Sequence, residues 1–325
     1  MLTIYYHPKY WKRDRVYFTK SLKHSKIMNL IEIISWKLSF PISNNLIFNG
    51  PQKLINNLLL TFKDNKEVTF NDNKYKDSYV VQFDDFGEKI VSELLAKDKN
   101  TKIIIGPLYN FAQLKKIEKL IHNYVNIKLA VASEVVKLGI MKNINFDIPD
   151  KKILILPVGI QVKNTKRSKF EDNTCLIYFK KRSLEELESI TSFLKAKKIS
   201  YKIFKYGNYK NKDLINFAKK CHFGIILNKT ESQGIAILEI MSANLPLLIF
   251  DFEKMFIENQ ELEGTSVPYW SKECGLKLKE VNDLETNLNY FLKNLNQYSP
   301  SEYISSNLSF EKTGEKLINE FKSFV

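Results

Sequence analysis

Short runs of β-branched and aromatic residues alternate with helix-length amphipathic segments along most of the chain. In the first half, the runs typical of strands are LIFN (46–49), YVVQF (79–83), KIIIGP (102–107), IKLAVAS (127–133) and KILILP (152–157). Between them, apolar residues at helical spacing predict helices over 51–61, 88–97, 111–122 and 133–142. Strands that alternate with helices in this way indicate parallel βαβ construction.

A polar, basic stretch without apolar periodicity, QVKNTKRSKFEDN (161–173), interrupts this series, and the alternation then starts again. The second series of strands is CLIYFK (175–180), YKIFKYG (201–207), FGIIL (223–227) and PLLIF (246–250), with helices from about 184, from about 211 and after residue 230. We therefore predict an α/β protein with two doubly wound, Rossmann-like domains, over 1–158 and 159–309, that face each other across a cleft. The final segment has helical spacing, so a helix over about 310–325 would pack back on the first domain. Ligands of such sheets bind beyond the carboxyl ends of the strands.

Composition narrows the class of protein. The chain has 325 residues, of which 44% are hydrophobic, and no apolar run approaches the roughly 18 residues of a membrane span. The first fifteen residues lack the apolar segment of a signal peptide, which favours a cytoplasmic protein. The three cysteines are an odd number without CxxC spacing, so the sequence supports neither a disulfide framework nor a zinc site.

The formal net charge of +14 raises the question of nucleic-acid binding, yet only four of the 50 basic residues are arginine. Recognition of phosphates and base edges favours the guanidinium group, and no helix-turn-helix, zinc-knuckle or RNP pattern accompanies the charge. We therefore expect no specific nucleic-acid partner. The segment HPKYWKRDRVYFTKSLKHSK (7–26) mixes aromatic and cationic residues. It suits an anionic lipid surface or a glycan acceptor, and equally a solvated face.

In the stretch NKTESQGIAILEIMSANLPLLIFD (228–251), Glu239 is the single charged residue between Ser232 and Phe250, inside an otherwise apolar predicted helix. The preceding TESQ is a capping-box pattern, in which Thr230 would cap the helix and Gln233 would reciprocate. That interpretation accounts for Glu231, which suits a helix N-terminus, but not for Glu239. A buried carboxylate costs several kcal/mol unless it accepts hydrogen bonds. No lysine or arginine lies within a helical turn of Glu239, so its partner must come from another segment or from a ligand.

The spacing of the two glutamates suggests which ligand this would be. Eight helical residues rise about 12 Å, which is comparable to the separation between the ribose and the sugar of a nucleotide-diphosphate sugar. Between the two carboxylates, the N–H groups near Gln233, Gly234 and Ile235 would form an anion site for the diphosphate.

Glu231 and Glu239 form the E-x7-E pattern of retaining nucleotide-sugar glycosyltransferases with the GT-B fold, and the chain is similar to glycosyltransferase family 4. The MSANLPLLIFD that follows, and LPVGI at 156–160, also resemble the corresponding family segments. The resemblance implies that Glu231 contacts hydroxyls of the transferred sugar and that Glu239 contacts the ribose.

The resemblance also implies a basic pair on the diphosphate, after the first strand of the second domain. The segment YFKKRS offers Lys180, Lys181 and Arg182. Family members carry an arginine followed some five residues later by a lysine, whereas this chain has LEELE there. We favour Arg182, with Lys180 as second choice and Lys181 beside it; a solvated basic loop is the alternative. The remaining predicted donor-binding residues are Ser232, Gln233, Gly234, Ile235 and Tyr206.

Candidate residues in the first domain come from strand ends. Gly50, in NGPQKLINNLL, resembles the glycine-containing first loop that faces the diphosphate, although an ordinary tight turn explains it equally well. Gly106 and Tyr109 end another strand and would border the acceptor. Family members often place a histidine near the reacting sugar, and His7, just past the first strand, is the positional candidate.

Together these features predict a retaining transfer of a sugar from a nucleotide-diphosphate sugar, UDP- or GDP-linked, to a hydroxyl of a glycan, lipid or protein-linked acceptor. We expect no cofactor beyond the donor substrate and no metal. Two alternatives stay open: a GT-B-fold sugar-nucleotide epimerase, and a non-catalytic protein that binds glycans or nucleic acid. The expected location is the cytoplasm, with peripheral membrane contact as one option.

Overall fold

A computed structural model describes residues 1–7, 50–72, 75–162, 173–257 and 260–324. The described residues fall into two compact units. The first contains the described residues up to Gly159 together with the C-terminal residues from Thr313, and the second contains the described residues from Ile160 to Lys312. The predicted strand LIFN (46–49) and the aromatic–basic segment after His7 lie outside the described residues.

The first unit is built on a six-stranded parallel sheet with strand order β2-β1-β3-β4-β5-β6. Its strands are β1 (Leu2–Tyr5), β2 (Val68–Phe70), β3 (Asp77–Gln82), β4 (Ile103–Leu108), β5 (Ile127–Val131) and β6 (Ile153–Ile155). The helices between them are α1 (Gly50–Phe62), α2 (Asp85–Lys97), α3 (Phe111–Asn123) and α4 (Glu134–Lys142). The central strands are buried on both faces, which is why they appear in the sequence as continuous apolar runs rather than as alternating patterns.

The second unit repeats this construction with a five-stranded parallel sheet, in the order β13-β10-β9-β7-β8. Its strands are β7 (Thr174–Lys180), β8 (Ser200–Lys205), β9 (Phe223–Asn228), β10 (Leu247–Phe250) and β13 (Gly275–Leu278). A separate antiparallel hairpin joins β11 (Lys254–Ile257) to β12 (Gln260–Glu263). The helices are α5 (Leu184–Ala196), α6 (Asn211–Ala218), α7 (Ile235–Ser242), α8 (Asp283–Lys293) and α9 (Pro300–Leu308).

Local side chains fix where several helices begin. The Asp84 carboxylate accepts the Phe86 and Gly87 N–H groups at the start of α2. Capping boxes open α3, through Asn110 and Gln113, and α5, through Ser183 and Glu186. These caps place the helix starts close to the carboxyl ends of the preceding strands.

The parallel α/β architecture predicted from the sequence is confirmed. The predicted strands that lie within the described residues are present to within about two residues at each end. The short strands β2 and β13 and the hairpin β11–β12 were not predicted, because three- and four-residue runs with charged neighbours carry little periodicity.

Helix α10 (Phe310–Lys322) belongs to the first unit from Thr313 onward. A Cβ on its Gly314 would lie 3.0 Å from the Thr61 side chain, so the glycine allows α10 to approach α1 closely. The Lys102 Nζ donates to the Phe321 carbonyl at 3.3 Å. Across the residues that the structure describes, no helix is both long enough and apolar enough to span a bilayer.

Candidate functional site

The carboxyl ends of three neighbouring strands meet at one edge of the second sheet. Lys180 is the last residue of β7 and pairs in register with Asn228, the last residue of β9. On the other side of β7, Tyr206 directly follows β8, and its N–H donates to the Phe179 carbonyl at 3.0 Å. The side chains that leave the strands here therefore come from three separate segments of sequence.

Glu231 and Lys180 form an ion pair at this edge. The Lys180 Nζ donates to both carboxylate oxygens, at 2.7 and 2.8 Å, and the two side chains are only 17% and 12% exposed. The same Nζ lies 4.5 Å from the centroid of the Tyr206 ring, within cation–π range. Asn228 adds a second donor to the carboxylate, from Nδ2 to Oε1 at 3.2 Å. The structure thus brings together Lys180, Glu231 and Tyr206, three of the residues predicted from the sequence.

The helix that carries Glu239 begins later than predicted. Its first residue is Ile235, and the N-cap is Gly234 in a left-handed conformation, with φ +76° and no side-chain cap. The predicted capping box is wrong because the Thr230 hydroxyl instead donates to the carbonyls of Phe252 and Lys254. Residues 231 to 234 are not helical, so the 12 Å estimate from eight helical residues does not hold.

The N-terminus of α7 opens beside the ion pair. By position, the first N–H groups of a helix have no intrahelical acceptor, which makes this end suitable for an anion. Here those groups belong to Ile235 and its successor, directly after the Gly234 turn. Among the predicted donor-binding residues near this turn, Ser232 is exposed, Gln233 is 3% exposed and Ile235 is half-buried.

Glu239 lies one turn into α7 and is 8% exposed. The sequence left open whether its partner came from the protein or from a ligand. The structure supplies a protein donor, since Nδ2 of Asn211, at the start of α6, donates to Oε1 at 3.2 Å.

Two tyrosines, Tyr178 and Tyr209, lie near the site carboxylates: the charge of Glu231 acts on both, and that of Glu239 acts on Tyr209. Their rings pack edge to face with centroids 6.3 Å apart. Burial raises the pKa of Tyr209 far above its usual value, and the negative charges of Glu239 and Glu231 raise it further. Burial likewise raises the pKa of Tyr178, with a smaller effect from Glu231. Both phenols are therefore neutral hydrogen-bonding groups at physiological pH, set among the predicted site residues.

Arg182 occupies a different environment from Lys180. Its Nε lies 3.0 and 2.9 Å from the two carboxylate oxygens of Glu186, and its Nη1 donates to the carbonyls of Phe250, at 3.2 Å, and Asn228. The Arg182 side chain is 8% exposed. The guanidinium group thus ties the start of α5 to the ends of β9 and β10. Lys181, between the two cations, is exposed and has a left-handed backbone with φ +57°.

The remaining predicted residues belong to the first unit. Gly50 is exposed at the start of α1, where a Cβ would meet no atom within 4 Å. Gly106 has φ +115°, and a Cβ there would lie 2.5 Å from the Ala130 carbonyl, so the backbone requires glycine. The Tyr109 hydroxyl lies 3.4 Å from that carbonyl. The His7 ring packs edge to face on Phe86, at 4.9 Å between centroids.

The sequence did not single out the polar residues that hold the Glu231 segment. Asp251 accepts hydrogen bonds from the Ser266 N–H at 2.7 Å and the Thr265 hydroxyl at 2.8 Å, and it pairs with Lys277 at 2.7 Å. The Thr265 carbonyl in turn accepts the Glu231 N–H at 3.1 Å. Thr265, Ser266 and Lys277 lie beyond the unpredicted hairpin, so sequence spacing gave no sign of this network around residue 231. In the described part of the chain, no group of three or more His, Cys, Asp or Glu residues could hold a metal ion.

Comparison with solved structures identifies the fold. The chain superposes on the lipopolysaccharide outer core galactosyltransferase WaaB with a TM-score of 0.55 over 100% of both chains, at 11% identity. Sucrose-phosphate synthase from Thermosynechococcus elongatus gives a TM-score of 0.51 over 99% of this chain and 98% of the other, at 9% identity. The GtfA/B complex gives 0.52 over 83% of this chain and 60% of the other, at 14% identity.

These likenesses show that the chain has the GT-B fold, as the sequence predicted. The chain spans 59% of the length of TarM and 60% of the GtfA/B chain that it matches. No protein-family model and no curated protein sequence matches it.

Proposed function

We propose that the chain is a retaining glycosyltransferase that moves a sugar from a nucleotide-diphosphate sugar to an acceptor hydroxyl. The observation that carries the proposal is the Lys180–Glu231 ion pair at the carboxyl edge of the second sheet, beside Tyr206 and the N-terminus of α7. This edge is where ligands of doubly wound sheets bind. The GT-B fold and the E-x7-E pattern support the same conclusion.

In this proposal the diphosphate lies at the N-terminus of α7. Lys180 is the cation that binds the diphosphate, because its ammonium group contacts Glu231 at this edge of the sheet. The guanidinium group of Arg182, in contrast, is enclosed by main-chain carbonyls. A phosphate would compete with Glu231 for the Nζ donors. The helix N–H groups after Gly234 would supply the remaining positive potential.

The two carboxylates then bind the two sugars of the donor. Glu239 would accept hydrogen bonds from the ribose hydroxyls, with Asn211 fixing one of its oxygens. Glu231, once Lys180 has turned to the diphosphate, would accept hydrogen bonds from hydroxyls of the transferred sugar. The donor is a UDP- or GDP-sugar, and the acceptor is a hydroxyl of a glycan, a glycolipid or a glycosylated protein.

The chemistry is a front-face displacement. The bond between the anomeric carbon and the diphosphate oxygen breaks, and the acceptor oxygen forms a new bond to that carbon on the same face. The acceptor proton passes to an oxygen of the departing diphosphate. Lys180 and the α7 N–H groups stabilise the charge that develops on the diphosphate, while Glu231 positions the sugar.

Titration calorimetry with UDP, GDP and ADP, followed by product analysis with a panel of nucleotide sugars, tests this proposal. Glu239→Gln should weaken binding of the preferred nucleotide about 10-fold or more, because a carboxylate is a stronger hydroxyl acceptor than an amide. Glu231→Ala should reduce turnover more than nucleotide affinity, because its contacts are to the transferred sugar.

Glu118→Gln is the matched control, since the Glu118 side chain is 12% exposed and lysine-paired, as that of Glu231 is, but lies in the first unit. It should leave both nucleotide affinity and turnover unchanged. If no nucleoside diphosphate binds, or if both site variants keep wild-type kinetics with the preferred donor, the proposal fails.

A further inference from the structure

Asn228 is the last residue of β9 and is fully buried next to Glu231. Its Nδ2 donates to the Glu231 Oε1 at 3.2 Å and to the Ser266 carbonyl at 3.1 Å. Both atoms are acceptors, so the amide can face them only with its nitrogen. The orientation of the Asn228 side chain is therefore fixed by its hydrogen-bond partners as well as by its burial.

The main chain of Asn228 is held just as firmly. Its carbonyl accepts the Ser266 hydroxyl at 3.1 Å and the Arg182 Nη1 at 3.4 Å. The Ser266 hydroxyl also accepts the Phe252 N–H at 2.9 Å. Two segments, at residues 182 and 266, thus contact the residue that donates to Glu231, and Phe252 holds Ser266 in turn.

The other end of the same amide indicates why an asparagine is present. Oδ1 of Asn228 is buried and has no hydrogen-bond partner among the residues that the structure describes. An unsatisfied buried acceptor destabilises the fold. An asparagine whose Oδ1 accepts no hydrogen bond is therefore not explained by the stability of the strand end alone. The donor end, aimed at Glu231, is the feature that this residue provides.

Glu231 has two side-chain donors within the described residues, Lys180 and Asn228. On the proposed function, on which this inference rests, the diphosphate draws the Lys180 ammonium away from the carboxylate. We infer that Asn228 is the positioning residue for Glu231: its amide keeps Oε1 in place for the transferred sugar after Lys180 has left. Arg182 acts one step further out, by fixing the Asn228 carbonyl.

The test compares Asn228→Asp, which keeps the shape but removes both N–H donors, with Asn228→Ala, which removes the amide without adding charge. With the nucleotide sugar that the wild-type protein uses, kcat should fall about 10- to 100-fold in both variants, because a misplaced positioning group costs about that much. In Asn228→Ala, which adds no charge beside Lys180, the donor KM and the Kd of the nucleoside diphosphate should stay within about twofold, since Glu239 and Lys180 are intact.

Asn57→Asp is the matched control. Asn57 is 2% exposed, and its Nδ2 donates to the Gly159 carbonyl at 2.8 Å, so the substitution is chemically identical but lies in the first unit. It should lower the melting temperature and leave kcat unchanged. A wild-type kcat in either folded Asn228 variant would overturn the inference, as would a kcat that falls only in step with nucleotide affinity. A wild-type protein that uses no nucleotide sugar would instead overturn the proposed function, and the inference with it.

Discussion

At the scale of single residues, the environments of Lys180 and Arg182 decide which cation is available to a ligand. Lys180 contacts a carboxylate and an aromatic ring. Arg182 contacts a carboxylate, the Phe252 ring and two main-chain carbonyls, and its side chain is half as exposed, at 8% against 17%. The Arg182 guanidinium group donates to carbonyls at two strand ends and so stabilises the fold. The Lys180 ammonium group is bound to a carboxylate, which it can exchange for a phosphate.

Replacement of Lys180 by methionine should therefore weaken nucleoside diphosphate binding about 10- to 100-fold, because a charge-assisted contact of about 1.5–3 kcal/mol is lost. Titration calorimetry of the folded variant measures the effect. The exposed Lys195→Met, on α5, is the charge-matched control and should bind as wild type. Arg182→Met should lower stability but leave the affinity within about threefold. The reverse outcome, with affinity lost in Arg182→Met and kept in Lys180→Met, would assign the phosphate to Arg182.

At the scale of elements, the Arg182–Glu186 pair links the end of β7 to the first turn of α5. The pKa of Glu186 is lowered, mainly by the hydrogen bond from Arg182. A carboxyl group whose pKa is lower in the folded state contributes stability above its ordinary pKa of 4.5 and loses that contribution as the pH falls through the lowered value.

Glu186→Gln should for this reason destabilise the protein by about 1 kcal/mol at pH 7, and the difference from wild type should shrink below about pH 4.5. Urea unfolding at pH 7 and at pH 4 measures both effects. Glu93→Gln removes another i,i+4 pair, that of Lys89 and Glu93, whose side chains are 74% and 53% exposed. That control should cost less than about 0.5 kcal/mol at either pH. A Glu186→Gln penalty that grows on acidification would contradict the assignment.

The same elements show what the sequence could and could not predict. SLEE at 183–186 is itself a capping box, and Arg182 stands four residues before Glu186, so their contact was readable from spacing. TESQ has the same local pattern but forms no cap, because the Thr230 hydroxyl donates instead to the carbonyls of Phe252 and Lys254, at the start of the β11–β12 hairpin. A local pattern predicts structure only where no distant segment competes for its hydrogen bonds, and the hairpin was invisible to periodicity.

At the scale of the molecule, the parallel architecture was predictable because strands buried on both faces stand out as apolar runs between amphipathic helices. The side-chain contacts of the candidate site were less predictable from the sequence. Glu239 with Asn211, and Asn228 with Ser266, join residues 28 and 38 positions apart, and no local spacing indicates such pairs. The strand ends of βαβ units fix which segments meet at the carboxyl edge, but side-chain partners there depend on loops of irregular conformation.

Phe321, on helix α10, allows a test of whether nucleotide binding depends on the first unit. Phe321 is 6% exposed and stacks on Phe324, with ring centroids 5.9 Å apart, and its carbonyl accepts the Lys102 Nζ. Phe321→Ala should lower the free energy of unfolding by about 3–5 kcal/mol, because it empties a buried aromatic position in the first unit. Urea unfolding measures this loss, and Phe256→Ala, at a ring in the second unit that is 63% exposed, is the aromatic control.

Nucleoside diphosphate affinity of folded Phe321→Ala should equal that of wild type, because the proposed binding residues Lys180, Glu231 and Glu239 all belong to the second unit. An affinity that falls together with stability would show that the nucleotide depends on the first unit as well.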